Sequence, residues 1–242
     1  MLENFKNIKE ENIEIYYKNE EESIVNKTFS GLKNAYKTLS KYFETNSENF
    51  DVKAIIAHNR KEYEDVVLNV LKVNIEIPSR RSRIAQPQGK YLVLLSPNAY
   101  EKDSIYSYIE DDYERLIFHE VTHMFEEYLS KDMENSSLWF GEGLAVYLSK
   151  QSKYEDEFRH TVCESIQKRN VPTLEEIEGK FEFAYEWGWT LIKYIEEVYG
   201  KQMINDILRN YDNGKVLEYM KVNKNIFEEQ WKKYVLNKNN IN

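Results

Sequence analysis

Apolar positions in the first hundred residues switch between two periods. At 12–18 (NIEIYYK) they alternate and are rich in β-branched and aromatic residues, which predicts a strand. At 21–43 they recur at helical spacing, through Ile24, Phe29, Leu32, Ala35, Tyr36, Leu39 and Phe43, and predict a helix with one buried face. The run VKAIIA (52–57) reads as a buried strand, and a helix follows from about 61 to 71. A third strand, YLVLL (91–95), is stopped by Ser96-Pro97-Asn98. Beyond Asp103 the strand period is lost, and helices are expected near 111–129, 138–149, 154–168, 182–199, 202–211 and 226–236. The pattern predicts an α+β fold: a mixed sheet with helices over 1–130, and a mainly helical part over 131–242.

Composition narrows the classes of function. The chain of 242 residues can bury a substantial core, and four prolines with eight glycines agree with a high helical content. A formal charge of −9 works against nonspecific attraction to nucleic acid or an anionic membrane, and no basic-aromatic array points to nucleic acid. Cys163 is the one cysteine, which excludes a disulfide framework and a cysteine-built metal cage. The N-terminus has no apolar leader core, and no window reaches the roughly 18 apolar residues of a membrane span. A cytoplasmic protein without a membrane span is therefore expected. No Gly-x-Ser-x-Gly elbow or phosphate-binding loop is present.

The candidate chemistry lies in FHEVTHMFEEYL (118–129), which holds two of the four histidines. On a helix, residues four apart share a face, so His119 and His123 can converge on one ion. Glu120 is turned about 100° from His119, where it flanks such an ion and suits a base acting on water. The plain alternative is two histidines that merely share a helix face. A catalytic zinc needs three protein ligands and an open position. Glu142, with eighteen residues between it and His123, lies in the apolar segment LWFGEGLAVYL between Gly141 and Gly143. A carboxylate there is costly to bury without a cation, so it is the candidate third ligand. The alternative is an acidic residue at the positive end of a helix.

These motifs carry a resemblance. HExxH followed by a glutamate on the next helix is the gluzincin pattern of the thermolysin and aminopeptidase-N families. HEVTH with LWFGEGLAVYL resembles more closely the bacterial peptidase-MA-like metallohydrolases, over about residues 91–231. The resemblance implies a thermolysin-like (zincin) catalytic fold forming one catalytic unit, with its active site in a cleft between the two parts. It implies one Zn2+ held by His119, His123 and Glu142, with Glu120 as general base. AYEWGWTLIKY (184–194) is similar to the segment that supplies an oxyanion-stabilising tyrosine, which implies that role for Tyr185. The lysine expected two residues after that tyrosine is Trp187 here. A packed helix tyrosine is the alternative, and Tyr147 is the reserve candidate. The implied reaction is zinc-dependent hydrolysis of a peptide or protein substrate, endopeptidase in character. Alternatives are an inactive or peptide-binding module that kept the fold, and an aminopeptidase.

Some features depart from the family's pattern. The position four after the ligand glutamate, acidic in thermolysin-type enzymes, is Val146, so the partner that orients a histidine ring is unassigned. Glu126 and Glu127 read as solvated helix charges. Met133-Glu134-Asn135 resembles an amine-reading motif but stands downstream of the zinc helix, so exopeptidase specificity has no support. The resemblance implies an edge strand that aligns substrate, for which 91–95 is the candidate and an interior strand the alternative. The loop with Arg80, Arg81, Arg83 and Lys90 reads as solvated, or as favouring acidic peptides if it lines the cleft. His58 and His160 read as non-ligands, and Cys163 as a small, partly buried residue. Substrate-contacting residues and oligomeric state are not legible.

Overall fold

Strand and helix positions in the computed structural model, which describes residues 2–45, 50–130, 137–210, 215–237 and 241, follow from which faces the residues can bury. The chain divides into two units, Met1–Tyr128 and Leu129–Asn242. The first contains β1 (Lys6–Glu10), β2 (Ile13–Tyr17), α1 (Glu22–Tyr42), β3 (Val52–Ala57), α2 (Arg60–Val66), β4 (Ala85–Gln88), β5 (Tyr91–Leu95), α3 (Tyr100–Asp103) and α4 (Glu110–Leu129). One five-stranded sheet runs in the order β1-β2-β3-β5-β4. Its central strands β2, β3 and β5 are parallel, and the outer strands are antiparallel to their neighbours.

The parallel centre explains why β3 and β5 are apolar on both faces. Ala54, Ile55, Ile56 and Ala57 are buried, as are Leu92 to Leu95, so neither side of these strands meets water. Strand β5 is interior, bonded to β3 on one side and β4 on the other. The edge beyond it is β4, inside the segment expected to be a solvated loop. Pro87 is tolerated there because of register. Leu95 N donates to the Ile84 carbonyl, so residues 84, 86 and 88 bond toward β5 while 85 and 87 face outward. The hydrogen bond that Pro87 cannot donate belongs to the open side. Gly89, at φ 56°, supplies the conformation required at the first position of the two-residue turn into β5.

Helix α1 buries six of the seven apolar residues that the spacing predicts, and the seventh, Phe43, is buried at its C-terminal cap. Tyr36 donates to the Phe50 carbonyl at 2.7 Å, and burial pushes its phenol pKa up to about 12. Helix α2 runs on through one π-helical stretch, Val67–Leu71, and Lys72 at φ 60° ends it.

The second unit contains α5 (Leu138–Leu148), α6 (Gln151–Tyr154), α7 (Asp156–Gln167), α8 (Leu174–Gly179), α9 (Phe181–Tyr199), α10 (Lys201–Asn210), α11 (Val216–Tyr219) and α12 (Lys224–Leu236). It is all-helical among the described residues, as the sequence predicts; Tyr211, at the end of one expected helix, lies outside them. No described helix in either unit is long and apolar enough to cross a membrane.

Helices α5 and α9 meet backbone to backbone. A Cβ added to Gly143 would stand 2.4 Å from the Gly188 carbonyl carbon, and one on Gly188 would stand 2.5 Å from the Trp139 oxygen. Around this contact Trp187 packs edge-on against Trp231 at 6.1 Å. The Trp231 indole donates to Thr190 Oγ1 at 3.1 Å, and that hydroxyl donates to the Trp187 carbonyl at 2.7 Å. Because backbone cannot retreat as a flexible side chain can, Gly188→Ala is expected to destabilise the protein by at least about 1–3 kcal/mol. Urea unfolding followed by tryptophan fluorescence measures it; an unchanged midpoint would show that the helices can separate freely.

Candidate metal centre

Helix α4 carries three of the five candidate site residues, His119, Glu120 and His123. Its first turn, Glu110-Asp111-Asp112, places negative charge at the positive end of the helix. Ile117 packs over Gly31, where an added Cβ would stand 3.1 Å from Ile117 Cδ1. Tyr113 hydrogen-bonds Thr28 at 2.8 Å. Phe125 lies 5.1–5.8 Å from the rings of Tyr36, Phe43 and Phe50. With its apolar residues packed against α1, Phe43 and Phe50 in this way, the opposite face of the helix is set in direction.

On that face His119 is 3% exposed and His123 half-buried. Their Nε2 atoms stand 3.1 Å apart, with the rings inclined at 76°. Around a cation with bonds of about 2.05 Å, tetrahedral ligand atoms stand about 3.3 Å apart, so the pair is already at ligand spacing. His123 Nδ1 lies 2.7 Å from Glu126 Oε2, and Glu126 is 2% exposed. Donation from Nδ1 to that carboxylate fixes the tautomer whose Nε2 lone pair faces His119.

Glu126 therefore corrects its reading as a solvated charge: it is buried and bonded to the His123 ring. The available signal was its spacing, three residues after His123 and on the same face. Glu127 is not free in solvent either; it accepts the Gly89 N–H at 2.7 Å and so ties the β4–β5 turn to α4. Glu120 is buried on α4, one residue from His119.

Glu142 projects from α5, half-buried, next to Gly143 at the close crossing with α9. Ligand-capable atoms of His119, His123 and Glu142 all lie within 4.8 Å of one another. Among the described residues no other trio of His, Cys, Asp or Glu meets that condition. Two imidazoles and one carboxylate suit a divalent transition ion, which this group could hold.

The remaining candidates separate. Tyr185 on α9 is half-buried, stacked on Phe181 at 5.9 Å and tilted against Phe158 at 5.3 Å. Tyr147 donates to the Glu196 carboxylate, and burial first, then that hydrogen bond, raises its phenol pKa. Its proton is committed away from any reacting oxygen. His58 bonds Glu62 through Nδ1 and Asn59 through Nε2, a wholly structural use of both nitrogens. His160 is exposed on α7, and Cys163 is free and half-buried. Arg80, Arg81, Arg83 and Lys90 are exposed as expected, although Arg81 also donates to the Lys102 and Ser104 carbonyls. Met133-Glu134-Asn135 lies outside the described residues.

Removing Glu126 tests the orienting role. Glu126→Gln should weaken binding of a divalent transition ion by roughly 10–100-fold, read by competition against a coloured chelator. An unchanged affinity would make the contact incidental. No protein-family model matches this chain, and no curated protein matches it.

Proposed function

We propose that the chain is a zinc-dependent peptidase of gluzincin type with a thermolysin-like catalytic fold. One observation carries this reading: two imidazoles and a carboxylate gathered within 4.8 Å, with a further buried carboxylate, Glu120, beside the first histidine. His119, His123 and Glu142 would hold one Zn2+. Zinc in such a set supplies Lewis acidity, which makes a water nucleophilic near neutral pH and polarises a carbonyl.

The protein's own groups do the rest. Glu126, accepting from Nδ1, turns the His123 ring so that Nε2 faces His119. Glu120 accepts a proton from the attacking water and returns it to the amine that leaves, so that the proton count closes. Its burial lowers competition from bulk water for that proton. Tyr185 donates its phenolic hydrogen to the carbonyl oxygen as negative charge builds there. The substrate is a peptide or protein, cut internally.

Zinc content and cleavage separate the roles. Wild type should bind one equivalent of zinc and cut members of a diverse peptide library, with a chelator suppressing the cuts. Glu120→Gln should keep the zinc and lose cleavage, whereas Glu142→Ala should lose most of the zinc. A wild type that holds zinc and cuts nothing would instead support a peptide-binding module. For Tyr185, replacement by Phe preserves both ring contacts, so its effect reads the hydroxyl alone. A fall in kcat of about 10²–10³-fold is expected, and a fall of less than about threefold would remove Tyr185 from the reaction.

A further inference from the structure

Positive charge in the first unit is concentrated where no acid answers it. Arg80, Arg81 and Arg83 are exposed on the turn before β4, in which the Arg83 N–H donates to the Arg80 carbonyl at 2.9 Å. Arg60 reaches into the same turn, and none of these four arginines makes an ion pair among the described residues. The two carboxylates bonded into this region are spent on main chain. Asp103 accepts the Arg60 N–H at 3.1 Å, and Glu64 accepts the Ser79 N–H at 2.6 Å. In a chain of formal charge −9, this is a local reversal of sign.

Carbonyls hold the turn instead. Arg60 donates through Nε to the Asp103 carbonyl at 3.1 Å and through Nη2 to the Arg81 carbonyl at 3.2 Å. Its Nη1 donates to Ser79 Oγ at 3.3 Å and to the Arg83 carbonyl. Arg81 donates to the Lys102 carbonyl at 3.0 Å and to the Ser104 carbonyl. Two arginines thus tie the turn to the C-terminal end of α3, and neither charge is cancelled, because carbonyls are neutral. Arg80 and Arg83 therefore stand on a fixed base, which lowers the ordering cost of binding an anion there. Two exposed apolar residues adjoin the turn in the chain: Ile77, two residues before Ser79, and Ile105, directly after Ser104.

We propose that Arg80 and Arg83, on this stapled turn, form a docking site for an acidic segment of a protein substrate, with apolar residues among its acids. Guanidinium groups meet carboxylates through paired N–H donors, and clustered arginines are a recurrent reader of acidic motifs. Ile77 and Ile105 suit a segment with apolar side chains, whereas the acidic remainder of the chain repels a polyanion such as nucleic acid. That the docked protein is cleaved rests on the peptidase reading; the docking itself does not.

The test has two arms. In the first, metal-free protein is titrated into a labelled peptide of Glu interspersed with Leu, and into its counterpart with Gln in place of Glu, and anisotropy is read. The Glu peptide should bind about tenfold tighter at low salt, and the difference should shrink as salt rises toward about 0.3 M. Changing both residues together, Arg80→Gln with Arg83→Gln should remove that advantage, while Arg80→Lys with Arg83→Lys should keep most of it. Both side chains are exposed, so each pair should melt within about 2 °C of wild type. Equal affinity of wild type for the two peptides, or an unchanged advantage in the glutamine pair, overturns the proposal. Single-stranded DNA of equal charge binding as tightly as the Glu peptide also overturns it, since the turn would then read charge alone. In the second arm, a Glu-Leu tail added to a peptide cut by the zinc-loaded protein should lower KM about tenfold and leave kcat unchanged, and the glutamine pair should lose that gain. A tail without effect on KM overturns the docking of substrate. A wild type that cleaves nothing overturns the peptidase reading and leaves anisotropy to decide the docking.

Discussion

Burying ionisable groups along a single helix is the constraint on which this structure turns. His119, Glu120 and Glu126 are all nearly hidden from water on α4, within eight residues of one another. Each would be expensive to desolvate alone. The arrangement becomes tolerable because Glu126 accepts a hydrogen bond from His123 and because the paired imidazoles face a place suited to a cation. The helix must also be immobile for these partnerships to persist, and the aromatic packing of Phe125 with the key of Ile117 over Gly31 provides that.

In the second unit, the corresponding demand falls on main chain instead of side chains. Glu142 has a defined direction because α5 cannot shift along α9 while Gly143 and Gly188 are in contact. The glycine that closes the Tyr185-Glu186-Trp187-Gly188 segment thus has a packing reason independent of any chemistry nearby. Trp187 and Trp231 then brace the same crossing through Thr190. Positional accuracy at the carboxylate is an outcome of helix packing.

What could be read from the sequence follows from how much apolar surface each segment had to hide. β2, β3 and β5 announced themselves because their residues are buried in a parallel sheet, and α1 because one face is. β1 (KNIKE) and β4 (AQPQ) carry no apolar face, since edge strands need none, and neither was visible. Short helices such as α3, α8 and α11 fall below one clear hydrophobic period. Within the candidate site, His119 and His123 were legible through spacing, and Glu142 as a carboxylate set among apolar residues. Glu126 was not, because a glutamate beside a second glutamate reads as surface charge until burial is known.

The two margins of the sheet have one more consequence. β1 exposes Lys6, Lys9 and Glu10, and β4 turns toward the outside a residue that has a carbonyl but no amide hydrogen. A strand from another molecule could not zip onto either margin with an unbroken ladder: charge must be buried at one, and a rung is missing at the other. The fold can therefore keep a strongly apolar parallel centre without offering its neighbours a template for sheet growth.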